Sequence, residues 1–137
     1  MLSYRHAFHA GNHADVLKHL IEVQLLRHLM QKDKSFWYID THSCAGCYAL
    51  DSGYAAQNAE YESGIARLWE RDDLPAAIAD YVALVKTINA DKKINLYPGS
   101  PLFAMHLLRA QDRLRLFELH PTDSRILQQN FADEGAR

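Results

Sequence analysis

The sequence predicts an α/β fold with a parallel sheet. Two strand-like segments are separated and flanked by segments with helical periodicity, an order typical of parallel α/β sheets. Residues 36–40 form a largely apolar run that we expect to be a strand buried on both faces. Residues 114–118 alternate apolar and charged side chains and form the second predicted strand. Two strands make a small core, so we expect further strands to come from another copy or, preferably, from a longer chain.

Composition limits the possible functions. The 137 residues suffice for one domain, and no apolar run reaches the length of a membrane helix. The net charge of -2 argues against a general polyanion binder. Two cysteines three positions apart cannot hold a fold together, which favours the reducing cytoplasm, and no metal is expected. These features indicate a cytoplasmic globular protein.

The first helix has a clear predicted start. Residues 1–11 have no regular pattern and are expected to form an arm. Asn12 is a good N-cap, and Asp15 adds negative charge to the first turn. The helix is predicted to run to about Met30. Its predicted buried face consists of Val16, Leu17, Leu20, Ile21 and Leu25.

Later segments predict four more helices. One covers about residues 58–71, and the next begins near Pro75, a residue suited to a first helical turn. Ser100 is the predicted N-cap of a helix that ends near Arg109, and a last helix opens at residues 120–123. We divide the chain into residues 1–51 (arm, first helix, first strand and ligand loop), residues 52–97 (a helical insertion) and residues 98–137. The last part continues the sheet domain but ends before a third strand.

Each predicted strand closes with a carboxylate, Asp40 or Glu118. In nucleotide-binding α/β folds, an acidic residue at the end of the second strand accepts hydrogen bonds from ribose hydroxyls. That residue usually follows the glycine turn by roughly 20 residues. Here more than seventy residues separate Gly46 from Glu118, and an inserted helical subdomain would account for the excess. The alternative is that both acids are solvated residues at strand ends.

Cys44 and Cys47 form a Cys-x-x-Cys motif directly after the first strand. Such a motif at a helix start is typical of thiol redox proteins, in which the helix amino terminus lowers the first thiol's pKa. A zinc site would need two further ligands, and the histidine spacings match no standard finger. Two inert thiols in a tight loop are the third interpretation, and the one we favour.

Several other polar residues could bind a ligand. His42 lies inside the predicted ligand loop. Lys18 and His19 lie beside two acidic residues at helical spacing, which equally fits an exposed ion-paired face. Tyr4, in the arm, could belong to an ordered terminus or stack on a base.

Several segments together resemble a known family, the bacterial 23S ribosomal RNA adenine-N6 methyltransferases of the RlmJ type. The resemblance extends over essentially the whole chain but corresponds to the amino-terminal half of such an enzyme. The segments that carry it are residues 1–6, 9–19, 40–42, 61, 64–69, 97–101 and 118–121.

The resemblance implies a Rossmann-like methyltransferase sheet with a helical insertion. The cofactor would be S-adenosylmethionine, and the substrate an adenine amino group in 23S rRNA. It further implies a monomer and, more loosely, a link to the use of external DNA. Position by position, it assigns cofactor contacts to His19, His42, Ser100 and Glu118, with Glu118 on the ribose. It assigns the adenine or rRNA side, where the arm closes over the substrate, to Tyr4, His6 and Lys18.

The sequence departs from the family in two respects. Family members have glycine where Cys44 stands, so a side chain there could crowd the methionine end of the cofactor. These enzymes also use an Asp-Pro-Pro-Tyr type quartet to activate the amine, and no two prolines of this chain are adjacent. The catalytic residues are therefore not identified, and we expect the chain alone to be inactive. Alternatives are a non-catalytic RNA-binding or partner-binding remnant and a thiol redox protein.

Overall fold

In the computed structural model, residues 4–51, 53–90 and 93–132 are described. Two 3₁₀ turns, His6–Phe8 and Glu60–Ser63, accompany ten helices and strands in the described part. These elements are, in chain order, α1 His13–Met30, β1 Trp37–Asp40, β2 Cys47–Ala49, α2 Gly53–Asn58, α3 Ala66–Trp69, α4 Ala76–Ile88, β3 Leu96–Pro98, α5 Ser100–Leu107, β4 Arg113–Leu116 and α6 Pro121–Asn130.

The predicted parallel pair is present. β1 pairs with β4 in parallel, with Trp37 opposite Arg113 and Asp40 opposite Leu116. The amide of Phe117 extends the pairing by donating to the Asp40 carbonyl at 2.9 Å. The fold is therefore α/β with a short parallel sheet, as expected. β2 and β3, which the sequence did not predict, form a separate antiparallel pair.

The expectation that β1 is buried on both faces is wrong. Its residues alternate, and Trp37 and Ile39 are 61% and 58% exposed. Tyr38 lies on the other face and packs in a small core between the sheet and helices α1 and α5. β1 has apolar residues on both faces, but helices cover only one of them. The apolar pattern therefore predicted burial of a face that is exposed. The other members of this core are Leu26, Phe36, Ala104, Leu107, Leu108 and Leu114.

Helix α1 begins and ends as predicted, but its buried face differs. The Asn12 side chain accepts a hydrogen bond from the Asp15 amide at 2.9 Å, which confirms the N-cap. Leu17, Ile21 and Leu25 are exposed instead of buried. Apolar residues surround most of this helix, so their pattern could not select one face. The residues that are fully buried are Asp15, His19, Val23 and Leu26.

The predicted helix over residues 58–71 is interrupted at Gly64. The Ile65 amide donates to the Gly11 carbonyl at 2.9 Å, which pulls the segment against the loop before α1. A Cβ on Gly64 would lie 2.0 Å from the Gly11 carbonyl oxygen, so only glycine fits this contact. The result is a 3₁₀ turn followed by the short helix α3. The proposed boundaries near residues 51 and 97 stay a prediction.

The main core lies between α1, α4, α5 and the β2–β3 pair. Helix α4 follows Pro75 as predicted, and its fully buried residues are Tyr81, Val82 and Val85. Helix α5 begins at Ser100 with Gly99 as its N-cap, one residue earlier than predicted, and ends at Leu107. Among the described residues, no helix is both long and apolar enough to cross a membrane. The largest fully buried side chains of this core include Tyr81, Tyr97, Phe103, Leu50, Ile65 and Val23.

Candidate functional site

Glu118 connects the carboxyl ends of the two parallel strands. Its Oε2 accepts a hydrogen bond from the Cys44 amide at 2.8 Å, and its Oε1 accepts one from the His120 amide at 2.7 Å. The carboxylate is thus held by the loop after β1 and by the start of α6. Each oxygen keeps a further lone pair, so the group can still accept hydrogen bonds from a ligand.

Asp40 connects the β1 loop to helix α5. Its Oδ2 accepts a hydrogen bond from the Ser100 hydroxyl at 2.5 Å, and its Oδ1 accepts one from the His42 amide at 3.0 Å. Asp40 and Glu118 therefore lie at the same edge of the sheet, as the parallel arrangement predicted. The donor role of Ser100 leaves its hydroxyl oxygen available as an acceptor.

A small cavity of about 40 Å³ opens at this edge. Five of the seven residues that the family resemblance assigned to binding line it. Of the other two, Glu118 reaches the lining through the Cys44 amide, and Tyr4 donates or accepts a hydrogen bond with His6 at 2.8 Å. The lining residues are His6, Lys18, His19, His42, Ser43, Cys44, Tyr48, Gly99 and Ser100.

His19 is a buried, neutral imidazole. It is 1% exposed, and burial lowers its pKa to about 3 against the opposing charge of Asp15. Its Nδ1 is 2.8 Å from the Tyr97 hydroxyl, which in turn is 2.8 Å from the Tyr81 hydroxyl. Among the described residues, no protein group bonds its Nε2, which is thus free for a ligand in the cavity. The two tyrosines were not predicted as part of the site.

Asp15 organises the entrance to the cavity. It is 1% exposed, and its oxygens are 2.8 Å from His6 Nε2 and 2.9 Å from Lys18 Nζ. Burial by itself would raise the pKa of Asp15, but the hydrogen bond from His6 and the nearby positive charges lower it well below the usual range. The sequence indicated only its place in the first helical turn. The alternative interpretation from the sequence was an exposed, ion-paired helix face. Lys18 fits that interpretation, because it is exposed and paired with Asp15, but the burial of His19 contradicts it.

Glu22 lies behind Asp40 and has a raised pKa. Burial raises its pKa to about 8, and the charge of Asp40 adds to the rise. The Tyr38 hydroxyl donates to Glu22 Oε1 at 2.8 Å and lies 3.5 Å from Asp40 Oδ2. Burial and a nearby like charge therefore both favour the protonated form of Glu22.

The Cys-x-x-Cys loop lacks the properties of a redox site. Burial and the charge of Glu118 raise the pKa of Cys44 to about 11, and burial raises the pKa of Cys47. A reactive thiol needs a lowered pKa. Cys44 also has a φ of +50°, a left-handed conformation that favours glycine. This conformation explains why a glycine suits the position.

The arm is attached to the far side of the site. Arg5 Nη2 is 2.9 Å from Asp123 Oδ1 at the start of α6, and its guanidinium lies 4.7 Å from the centre of the Tyr54 ring. Tyr4 is 62% exposed and stacks on His9 with ring centres 5.7 Å apart. The described part of the arm is therefore held by contacts with α6 and Tyr54, and the Tyr4 ring faces solvent.

Comparison with known proteins gives the family. A model of the family described as "Ribosomal RNA large subunit methyltransferase D, RlmJ" matches residues 33–136. The chain belongs to the RlmJ family. It is 53% identical over 131 residues to ribosomal RNA large subunit methyltransferase J of Escherichia coli K12, which covers 96% of this chain and 47% of that protein. It is 53% identical over 135 residues to the protein of the same name from Haemophilus influenzae, covering 98% of this chain and 48% of that protein.

The fold agrees with this membership. A crystal structure of a Legionella pneumophila protein matches with a TM-score of 0.80 at 44% sequence identity, covering 88% of this chain and 44% of that chain. The chain spans about half the length of the curated RlmJ relatives that it matches. Both the motif-based resemblance and its restriction to about half of the enzyme are confirmed.

Proposed function

We infer that this chain contributes to an S-adenosylmethionine-dependent methyltransferase that modifies an adenine N6 amino group of 23S rRNA. This inference rests on one observation in a member of the RlmJ family. Asp40 and Glu118 lie at the carboxyl ends of two paired parallel strands, at the same edge of the sheet. A ribosomal RNA substrate implies that the protein acts in the cytoplasm.

The residues of this edge fit the cofactor chemically. Glu118 retains lone pairs that suit two ribose hydroxyls, as in other nucleotide-binding α/β folds. Asp40 and the acceptor lone pair of Ser100 suit the ammonium group of the methionine part. When bound, S-adenosylmethionine supplies a methyl group on a positively charged sulfur. His19 is neutral, so it can contact that sulfur region without charge repulsion.

The substrate side is formed by the arm and the exposed edge of α1. The Tyr4 ring is exposed and can stack on a base, and the Lys18 ammonium can contact a phosphate. Asp15 fixes both Lys18 and His6, which keeps these donors beside the cofactor. The contacts of Asp15 support the proposed assignment of His6 and Lys18 to the substrate side, and the exposed ring of Tyr4 supports that of Tyr4.

The cavity is too small for the whole cofactor. Its volume of about 40 Å³ is close to the share of one water molecule. His6 of the arm lines it, so entry of the cofactor requires the arm to move aside. The arm, with Tyr4 and His6, would then close over the bound substrate.

This chain supplies part of the active site. Its four prolines are at positions 75, 98, 101 and 121, so it contains no Asp-Pro-Pro-Tyr quartet. Adenine N6 is a weak nucleophile because its lone pair is delocalised into the ring. Without acceptors for its hydrogens the amine is not activated, so the chain by itself should transfer no methyl group.

Methyl transfer tests the inference directly. The 137 residues would replace the matching half of the E. coli relative, and the chimaera would be assayed with labelled S-adenosylmethionine and 23S rRNA that lacks the modification. We expect transfer by the chimaera, none by the chain alone, and a large loss in the chimaera with Glu118→Gln. Glu70→Gln, an exposed glutamate at the end of α3, is the matched control.

Two results would contradict the inference. A folded chimaera that binds the cofactor but leaves rRNA unmethylated would exclude the assigned reaction. Salt-dependent rRNA binding by the folded chimaera, with no measurable cofactor binding by equilibrium dialysis, would favour a non-catalytic binding role instead.

A further inference from the structure

A second and much larger concave surface lies away from the cofactor edge. We call it the α1–α3 groove, and its volume is about 460 Å³, roughly tenfold that of the cofactor-side cavity. It runs between the first turns of α1 and the segment around α3. The groove is lined by His13, Val16, Ser63, Gly64, Arg67, Leu68 and Arg71.

The lining of the groove is cationic. It contains two guanidinium groups, Arg67 and Arg71, one imidazole and one hydroxyl, and no carboxylate among the described residues that line it. Arg67 is exposed and makes no hydrogen bond or ion pair with any described residue. Its five N–H donors are therefore all available to a ligand.

Two acidic residues near the groove, Asp73 and Glu60, have hydrogen-bond partners. Asp73 binds Arg71 through two hydrogen bonds of 2.7 and 2.6 Å, which fixes the guanidinium plane and leaves its Nη1 free. Glu60 accepts hydrogen bonds from Asn12 and His9 at 3.0 and 2.9 Å. Among the described lining residues, Arg67 is thus the guanidinium without a carboxylate partner, and the lining itself contains no carboxylate.

The groove is fixed relative to the cofactor edge. The Ile65 amide donates to the Gly11 carbonyl, and the Gly11 amide donates to the buried Asp15 carboxylate at 3.0 Å. Asp15 also holds His6 and Lys18. A chain of direct contacts therefore connects the segment that carries Arg67 to the residues at the entrance of the cavity.

We propose that the α1–α3 groove binds the sugar–phosphate backbone of the rRNA that flanks the target adenine. The proposal rests on the proposed rRNA substrate and adds a binding site to it. Guanidinium groups suit phosphate oxygens, with which they form paired hydrogen bonds. Among the described residues, no Phe, Tyr or Trp lines the groove, so base stacking there is limited to the His13 imidazole, and contacts made by the guanidinium groups to phosphates would be independent of sequence.

The test is salt-dependent binding of unmodified 23S rRNA transcript by the 137-residue chain. The double variant Arg67→Gln/Arg71→Gln is compared with Arg125→Gln/Lys34→Gln, which removes two exposed positive charges outside the groove. We expect the groove variant to lose about tenfold or more in affinity at low salt. The slope of log affinity against log salt should fall by about 0.7–0.9 for each lost phosphate contact. The control should change neither quantity appreciably, and both variants should keep the wild-type circular dichroism spectrum.

Several outcomes would overturn the proposal. One is an unchanged salt slope in the groove variant, and another is an equal loss in the control. Absence of rRNA binding by the wild-type chain also overturns it. Binding of polyglutamate is measured in parallel as a probe for an acidic protein partner. If the groove variant loses polyglutamate binding while its rRNA affinity is unchanged, the groove binds such a partner and the proposal is overturned.

The same variants in the chimaera separate the groove from the reaction. Reduced methylation at low rRNA concentration, restored at high concentration, supports the groove. If the groove variant methylates normally at every rRNA concentration, the proposed role of the groove is wrong and the proposed reaction stands. If the wild-type chimaera binds rRNA through the groove but does not methylate it, the proposed reaction is wrong and the proposed role of the groove stands.

Discussion

The backbone amide of Cys44 donates a 2.8 Å hydrogen bond to Oε2 of Glu118, a residue 74 positions away in sequence. This contact joins the loop after β1 to the end of β4 and fixes the carboxylate that we assign to the cofactor ribose. The second oxygen is held by the His120 amide. The carboxylate of Glu118 therefore accepts hydrogen bonds from two backbone amides, those of Cys44 and His120.

Glu118→Gln should disturb both partners of this carboxylate. The new amide would place its NH₂ group against the N–H of Cys44 or of His120, leaving one backbone donor unpaired. An unpaired buried donor costs about 1–3 kcal/mol. Urea unfolding should show a loss of that size, whereas Glu70→Gln should unfold like the wild type. Unchanged stability would show that Glu118 does not organise the edge.

Cys44→Gly should stabilise the protein relative to Cys44→Ala by about 1 kcal/mol. The left-handed φ of +50° costs a residue with a Cβ about 1–2 kcal/mol, which exceeds the extra chain entropy that glycine loses on folding. Both variants remove the sulfur, so their difference isolates the backbone term. Equal unfolding free energies for the two variants would show that this strain is absent.

The thiol of Cys44 should be unreactive at neutral pH. Burial and the Glu118 charge raise its pKa to about 11. In a Cys47→Ala variant, the rate of alkylation by iodoacetamide should rise up to about pH 11 and not level off near the ordinary value of ~8.5. A midpoint below ~8.5, or a stable Cys44–Cys47 disulfide in the wild type, would instead support thiol redox chemistry.

Glu22→Gln should change how stability depends on pH. The pKa of Glu22 is raised from 4.5 to about 8 in the folded protein, so its stabilising contribution is complete below pH 4.5. That contribution is lost as the pH rises towards 8, at no more than about 1.4 kcal/mol per pH unit. Glutamine does not titrate and still accepts the Tyr38 hydroxyl, so the variant should gain stability over the wild type across this window.

The pH series for Glu22→Gln needs a matched control. Glu62→Gln alters an exposed glutamate and should differ from the wild type by a constant amount between pH 5 and 8. Chemical unfolding at half-unit steps measures both differences. A flat difference for Glu22→Gln as well would show that Glu22 is ionised in the folded protein at neutral pH.

Local signals in the sequence were reliable. Helix α1 starts at Asn12 and helix α4 follows Pro75, because capping and proline effects depend on neighbouring residues. The parallel pairing of β1 and β4 also followed from the order of elements. By contrast, the three-residue strands β2 and β3 depend on pairing across 47 or more positions, and each is too short to give a pattern.

Long-range contacts account for what the sequence could not give. The break at Gly64 arises from its contact with Gly11, and no local signal reveals it. At the site, Asp40 and Glu118 were expected from their strand ends. The burial of His19 against Tyr97, 78 positions away, could not be predicted, because a histidine on an apolar helix gives no indication of its partner.

The exposed ring of Trp37 gives the protein an internal optical reporter. The chain has two tryptophans, and Trp69 is 7% exposed whereas Trp37 is 61% exposed on the open face of β1. Any molecule that covers this face would transfer one indole from water to an apolar environment and shift the fluorescence emission to shorter wavelength. Association at the open face can therefore be followed without a label.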